Sequence, residues 1–140
     1  MKKVMAFGSF DILHEGHKHY LQEAKSYGDY LIVVVARDSN ILKFKGKHPI
    51  NNENFRLRKI EELGFVDEAV LGNDIDIFLV LDKYKPDAVC LGYDQTTVDE
   101  KKLGKELEKR KVKAEIARAK PYKENIYKSS LISNKKNKKI

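Results

Sequence analysis

The chain has 140 residues, 41% hydrophobic and 35% charged, with a formal net charge of +7. That length suits one domain with a core of its own, and that composition excludes a disordered chain. No apolar run approaches the roughly 18 residues of a membrane span, no signal-peptide pattern precedes the first strand, and the single cysteine, Cys90, excludes an internal disulfide and fits a reducing, cytoplasmic setting.

The first apolar run, Val4 to Phe7, reads as a strand. It leads into Gly8-Ser9-Phe10-Asp11-Ile12-Leu13-His14-Glu15-Gly16-His17, a polar loop with two glycines and two histidines three apart. His17, Tyr20, Leu21 and Ala24 then repeat at i, i+3, i+4 and i+7, which predicts a helix running to about Tyr27 with Gly28 as its stop. Tyr30 to Ala36 is a continuous β-branched run, the pattern of a central strand covered on both faces. Arg37 to Asn52 shows no clear period and carries Lys43, Lys45, Lys47, Gly46 and Pro49. It reads as a long functional loop with at most a helical turn near Asn40.

Glu53 to Leu63 reads as a helix capped by Asn51 or Asn52, stopped at Gly64, with Leu57, Ile60 and Leu63 on its apolar side. A short strand over Val66–Leu71, a helix over Asp76–Tyr84, a break at Pro86 and a strand over Ala88–Leu91 follow. The polar loop Gly92–Thr97, a helix over Asp99–Arg110 and a last strand over Val112–Ala117 complete the alternation. Beyond Arg118 the chain is irregular, with a short helix expected at Ser129-Ser130-Leu131-Ile132.

Strands alternating with helices predict a Rossmann-like, three-layer α/β/α fold around a mainly parallel five-stranded sheet. The expected organisation is one domain over residues 1–132 and a basic tail over 133–140. Ligands of such folds bind beyond the carboxyl ends of the strands, here at the loops starting at Gly8, Arg37, Gly92 and Arg118. Lys135, Lys136, Lys138 and Lys139 hold much of the positive charge, and without them 24 basic residues face 21 acidic ones. So balanced a body argues against a nucleic-acid partner, and the tail reads as a solvated end. Cys90, within Ala88-Val89-Cys90-Leu91, reads as a buried structural thiol.

The strand–loop–helix junction is the expected anion site. Unpaired N–H groups and the positive end of a helix dipole meet there, and glycines let the backbone approach a phosphate. His14 and His17 add donors. Without a Cys or carboxylate set at zinc spacing, phosphate contact is preferred over a metal role for the pair. Asp11 has three readings: a cap for the first helix, a group orienting His14, or a metal contact.

Gly8-Ser9-Phe10-Asp11 followed by His14-Glu15-Gly16-His17 resembles the paired signature of the cytidylyltransferase-like, HIGH-type nucleotidyltransferases, with Ser9 where Thr is usual. Ala36-Arg37-Asp38, the lysine-bearing stretch, Arg56 ahead of Val66-Asp67, and Leu91-Gly92-Tyr93-Asp94-Gln95 fall in family order, so the resemblance spans about Lys2 to Ile132. Within the family the chain is most similar to the archaeal FAD synthases, with glycerol-3-phosphate cytidylyltransferase as the rival.

The resemblance implies transfer of AMP from ATP (alternatively CMP from CTP) to FMN or a small phosphorylated alcohol. It also implies Mg²⁺ or another divalent cation held through the phosphates, and a homodimer. It assigns catalysis to His14 and His17 with Lys43 or Lys45 as a clamp on the β- and γ-phosphates. Nucleotide contact falls to Ser9, Phe10, His14, Glu15, Gly16, His17, Asp94, Tyr122, Ser129 and Ser130. Asp94 is otherwise an Asx-turn residue, and Tyr93 and Gln95 are expected to frame a ring edge. The cytidylyltransferase Arg and Gly-Ile pair are missing from Lys123–Lys128, although Ser129-Ser130 remains.

Overall fold

A computed structural model describes residues 1–93, 95 and 98–121. Five strands form one sheet: β1 (Lys3–Gly8), β2 (Tyr30–Val35), β3 (Glu68–Leu71), β4 (Ala88–Leu91) and β5 (Glu115–Arg118). Their order is β3-β2-β1-β4-β5 and every pairing is parallel. The expected mainly parallel sheet is thus wholly parallel among the described residues. Sequence order runs one way from β1 to β3, then reverses at β4. The switch point therefore lies between β1 and β4.

The helices are α1 (Glu15–Lys25), α2 (Asp38–Lys45), α3 (Glu53–Glu61), α4 (Leu79–Tyr84) and α5 (Glu100–Lys109). Successive strand side chains point to opposite faces, so β1 and β2 feed two cores. Val4, Ala6, Leu31, Val33 and Val35 pack with Leu21 and Ala24 of α1 and Ile60 of α3. Met5, Phe7, Ile32 and Val34 pack with Leu81 of α4 and Leu103 and Leu107 of α5. Buried on both sides, these strands can be apolar throughout, which is why they read as continuous runs.

Several expectations are corrected. The stretch expected to be mostly loop holds α2. Only Asn40 and Ile41 of that helix are buried, too few to impose a hydrophobic period. Helix α1 ends at Lys25, before the expected stop. Gly28 serves close approach instead, since a Cβ there would lie 2.6 Å from the Lys2 carbonyl oxygen. Helix α4 starts three residues late because Asp76 is spent on the turn, accepting from the Phe78 N–H at 3.0 Å. Strand β5 begins at Glu115 rather than Val112; the Val112 N–H bonds the Leu107 carbonyl and still closes α5. Helix α3 is capped by the Asn52 side chain, one of the two expected candidates.

Candidate active site

The loop after β1 is shaped by its own side chains. Phe10 has φ 51°, the left-handed region that an aromatic residue enters only when its surroundings hold it there. They do: the ring is 4% exposed and folds back over Gly8, where an added Cβ would meet it at 2.5 Å. Gly8 therefore has to be glycine for contact reasons. The ring then packs edge-on against His17, with centroids 5.4 Å apart. The Phe10 ring is thus the floor beneath His17.

The two histidines cap α1 reciprocally. His14 is the N-cap residue, and its Nδ1 accepts from the Gly16 N–H at 3.1 Å. His17 Nδ1 accepts from the His14 N–H at 3.3 Å. A backbone N–H can only donate, so each Nδ1 is unprotonated and each neutral ring carries its proton on Nε2. The rings stack with centroids 3.8 Å apart, a spacing at which two positive charges would repel. Burial also holds the His14 pKa below its ordinary 6.5, against the pull of Glu15. The helix start thus sets two neutral imidazoles at the positive end of the α1 dipole, with the Gly16 N–H engaged by His14 Nδ1 and the His17 and Lys18 N–H groups by the His14 carbonyl. Glu15 pairs with Lys18 at 3.3 Å on the solvent side of the first turn.

Asp11 neither caps α1 nor bonds His14. Its carboxylate accepts from the Ile50 and Asn51 N–H groups, both at 2.8 Å, clamping the segment before α3 onto the loop. The cap belongs to His14 because the ring reaches Gly16 directly. No group of three His, Cys, Asp or Glu among the described residues could hold a metal ion.

Arg56 was the residue whose role the sequence hid. It is fully buried. Its guanidinium donates to the carbonyls of Asn51 (2.9 Å), Ser9 and Ala36 (both 2.8 Å) and to the Asp38 carboxylate (2.6 Å). One side chain therefore joins the loops after β1 and β2 to the starts of α2 and α3. The available signal was its spacing: Arg56, Ile60 and Leu63 fall at i, i+4 and i+7, placing the arginine on the buried side.

Lys43 and Lys45 stand exposed in the last turn of α2, not in a loop. Arg37 and Glu53 steady the other end of that helix. The Arg37 guanidinium donates to Glu53 at 3.0 Å, and Glu53 accepts from the Asp38 N–H at 2.9 Å. Asp94, Tyr122, Ser129 and Ser130, with the rest of the Lys123–Ile140 segment, lie outside the described residues.

The other half of the site is the loop after β4. Pairing between β1 and β2 continues to Gly8↔Val35, but between β1 and β4 it stops at Ala6↔Cys90. At that last pair the Tyr20 hydroxyl lies beside the strands, donating to the Cys90 carbonyl at 2.7 Å and accepting from the Phe7 N–H at 3.3 Å. The Gln95 amide bridges the Gly92 N–H (3.0 Å) and the Phe7 carbonyl (3.1 Å). Gln95 is thus a brace with both ends of its amide engaged, not the ring frame the family resemblance suggested. Arg118 supports the same loop through the Gly92 and Gln95 carbonyls at 2.8 and 3.0 Å. Cys90 is buried and its thiol is pushed up to about 12, the inert structural thiol expected.

A separate cleft of about 460 Å³ lies between the first loop and α3, lined among others by Asp11, Ile12, Phe55 and Arg56. Neither histidine lines it, so the phosphate chemistry is assigned to the strand ends instead.

Comparison with known proteins agrees with this geometry. The cytidylyltransferase-like family model matches residues 5–135. The FAD synthase of Ferroglobus placidus is 54% identical over 118 residues, covering 84% of this chain and 76% of that protein. The FAD synthase of Thermoplasma acidophilum is 46% identical over 135 residues, covering 96% and 94%. A crystal structure described as the lipopolysaccharide core biosynthesis protein of Thermoplasma volcanium superposes with a TM-score of 0.81 at 48% identity, over 87% of this chain and 98% of that one. With its parallel sheet, its histidine-capped helix and its open switch point, the chain belongs to the cytidylyltransferase-like family of nucleotidyltransferases.

Proposed function

We infer that this protein transfers AMP from ATP to FMN, giving FAD and pyrophosphate. The observation that carries the reading is the identity of 46–54% to archaeal FAD synthases over most of the chain. The chemistry of the β1–α1 loop is consistent with it. An FMN phosphate oxygen attacks the α-phosphorus of ATP. The bond from that phosphorus to the bridging oxygen breaks, and the electron pair leaves with pyrophosphate.

The residues act by holding and stabilising charge. His14 and His17 donate from Nε2 to the triphosphate, while the start of α1 supplies the positive end of its dipole. Ser9, Phe10 and Glu15 form the walls of that loop, and Lys43 or Lys45 neutralises the departing phosphates. Asp94, Tyr122, Ser129 and Ser130 are proposed on the acceptor and base side from family resemblance alone. Mg²⁺ or another divalent cation, brought in with the triphosphate, would supply charge neutralisation there.

The working unit is proposed to be residues 1–132, acting as a homodimer in the cytoplasm without nucleic acid or membrane, and with 133–140 dispensable. No helix among the described residues is long and apolar enough to cross a membrane.

The deciding assay supplies ATP or CTP with FMN, glycerol 3-phosphate or a sugar phosphate, plus Mg²⁺, and measures FAD and pyrophosphate. The sugar phosphate belongs there because the similar Thermoplasma volcanium structure is described as a lipopolysaccharide core biosynthesis protein. FAD from ATP and FMN is expected. Product from CTP and glycerol 3-phosphate alone would overturn the reading.

A further inference from the structure

Among the described residues, the buried polar side chains are Arg56 and Asn40. Arg56 joins the loops after β1 and β2. Asn40, 5% exposed, sits in the first turn of α2. Its amide donates to the Asn73 carbonyl, in the loop after β3, at 3.0 Å. That loop is itself firmly built. The Gly72 N–H extends the sheet to the Val35 carbonyl at 2.9 Å. The Asn73 side chain accepts from the Ile75 and Asp76 N–H groups, both at 2.8 Å. Asp76 in turn accepts from Arg110, just past α5, at 2.8 Å. A buried amide is costly unless it is bonded, so the bond to Asn73 is what keeps Asn40 inside.

Helix α2 is anchored at one end. On the β3 side its start is held by Asn40 and by Arg37, whose Nε donates to the Gly72 carbonyl at 2.8 Å. On the α3 side it is held through Asp38, which engages Arg56 and Glu53. Ile41 is its one buried apolar side chain; Leu42 and Phe44 are exposed together with Lys43 and Lys45. The far half therefore takes its position from the near half, as a rigid lever does. Lys45 lies five residues beyond Asn40, about 7.5 Å along the axis, and a tilt of about 10° at the anchor moves it by about an ångström. We propose that Asn40 is a positioning residue: it latches α2 to the loop after β3 and so fixes the reach of Lys43 and Lys45. The consequence for turnover rests on the function proposed above; the latch itself does not.

The test is a double-mutant cycle. Asn40→Ala removes the donor, and K43A/K45A removes the groups it positions. With ATP, FMN and Mg²⁺, Asn40→Ala should lower kcat on the order of 10–100-fold in the wild-type background, as misplacement by about an ångström does. Where both lysines are absent it should cost no more than about twofold. Similar losses in the two backgrounds are what a merely structural asparagine gives, and they overturn the proposal. So does a lysine-free variant that matches wild type in turnover and ATP affinity, since nothing would be left for Asn40 to position. Amide hydrogen exchange, read without substrate, should quicken from Leu42 to Gly46 in Asn40→Ala and stay unchanged in α5; unchanged exchange in α2 also overturns the latch.

If Asn40→Ala fails to fold, Arg37→Met takes its place in the cycle, because Arg37 makes the second bond to the same loop; the expected and overturning outcomes are the same. Should wild type make no FAD, the functional reading falls, and the cycle is run on affinity for a non-hydrolysable ATP analogue. There Asn40→Ala should weaken binding only when the lysines are present, and equal weakening in both backgrounds overturns the proposal.

Discussion

The two flanks of β1 end differently. Toward β2, backbone pairing runs to the last residue of the strand, and a buried guanidinium then gathers the loose carbonyls of Ser9 and Ala36. Toward β4, pairing stops two residues earlier; the Tyr20 hydroxyl bonds the Cys90 carbonyl at the last pair, and the Gln95 amide takes the next ladder position. The closed flank spends its polar chemistry on rigidity. The open one spends it on holding the Gly92 loop. The crevice at the switch point itself arises because the chain leaves β1 for α1 on one face of the sheet and β4 for α5 on the other, so one strand both anchors a loop and borders a site beside it.

The largest effect should come from the closed flank. Arg56→Met leaves three half-buried carbonyls and the Asp38 carboxylate without their donor, which should cost roughly 3–5 kcal/mol by chemical denaturation. A loss below about 1 kcal/mol would mean that the loops close without the arginine, and the contrast between flanks would fail. Next comes His17→Ala, expected to reduce kcat on the order of 10²–10³ while circular dichroism stays that of the folded chain; turnover near wild type would remove His17 from the charge-stabilising role.

Gly8→Ala probes the join between the flanks. The new methyl would overlap the Phe10 ring, so a destabilisation of about 1–3 kcal/mol is expected, as for overpacking. The His17 imidazole resonances should move with it, because Phe10 supports that ring. Stability lost with the His17 signals unchanged would break the proposed path from strand end to histidine.

The smallest effect is a pH dependence. Burial lowers the His14 pKa in the folded state, so the unfolded chain binds a proton first as pH falls. The cap's contribution is therefore complete above about pH 6.5, its ordinary value, and is lost as pH drops through the folded-state pKa. NMR titration should place the His14 midpoint below 6.5. A midpoint above that value would mean that Nδ1 no longer accepts from Gly16.

Much of this was legible in the chain itself. The β-branched run at Tyr30–Val35 and the apolar run Ala88–Leu91 could only be covered strands, and the histidine loop announced itself by its glycines, its place after a strand and the helical spacing behind it. The site was legible where residues close in sequence make it, as His14, Gly16 and His17 do. Helix α2 was not, because two buried residues give no period. Asp11 was misread because its partners, Ile50 and Asn51, lie across a long connection. Gln95 was misread because its amide is used up by Gly92 and by Phe7, which is distant in sequence.

The sequence by itself therefore determined the alternation of strands and helices, the parallel character of the sheet and the anion-binding helix start, since each follows from local spacing and residue type. The tertiary structure alone decided which polar side chains serve the ligand and which serve the scaffold. Hydrogen-bond donors are chemically alike wherever they sit; what they do depends on the carbonyl that folding brings to them. Arg56, Tyr20 and Gln95 are three such donors, and in each case the carbonyl belongs to a strand end that another part of the chain delivers.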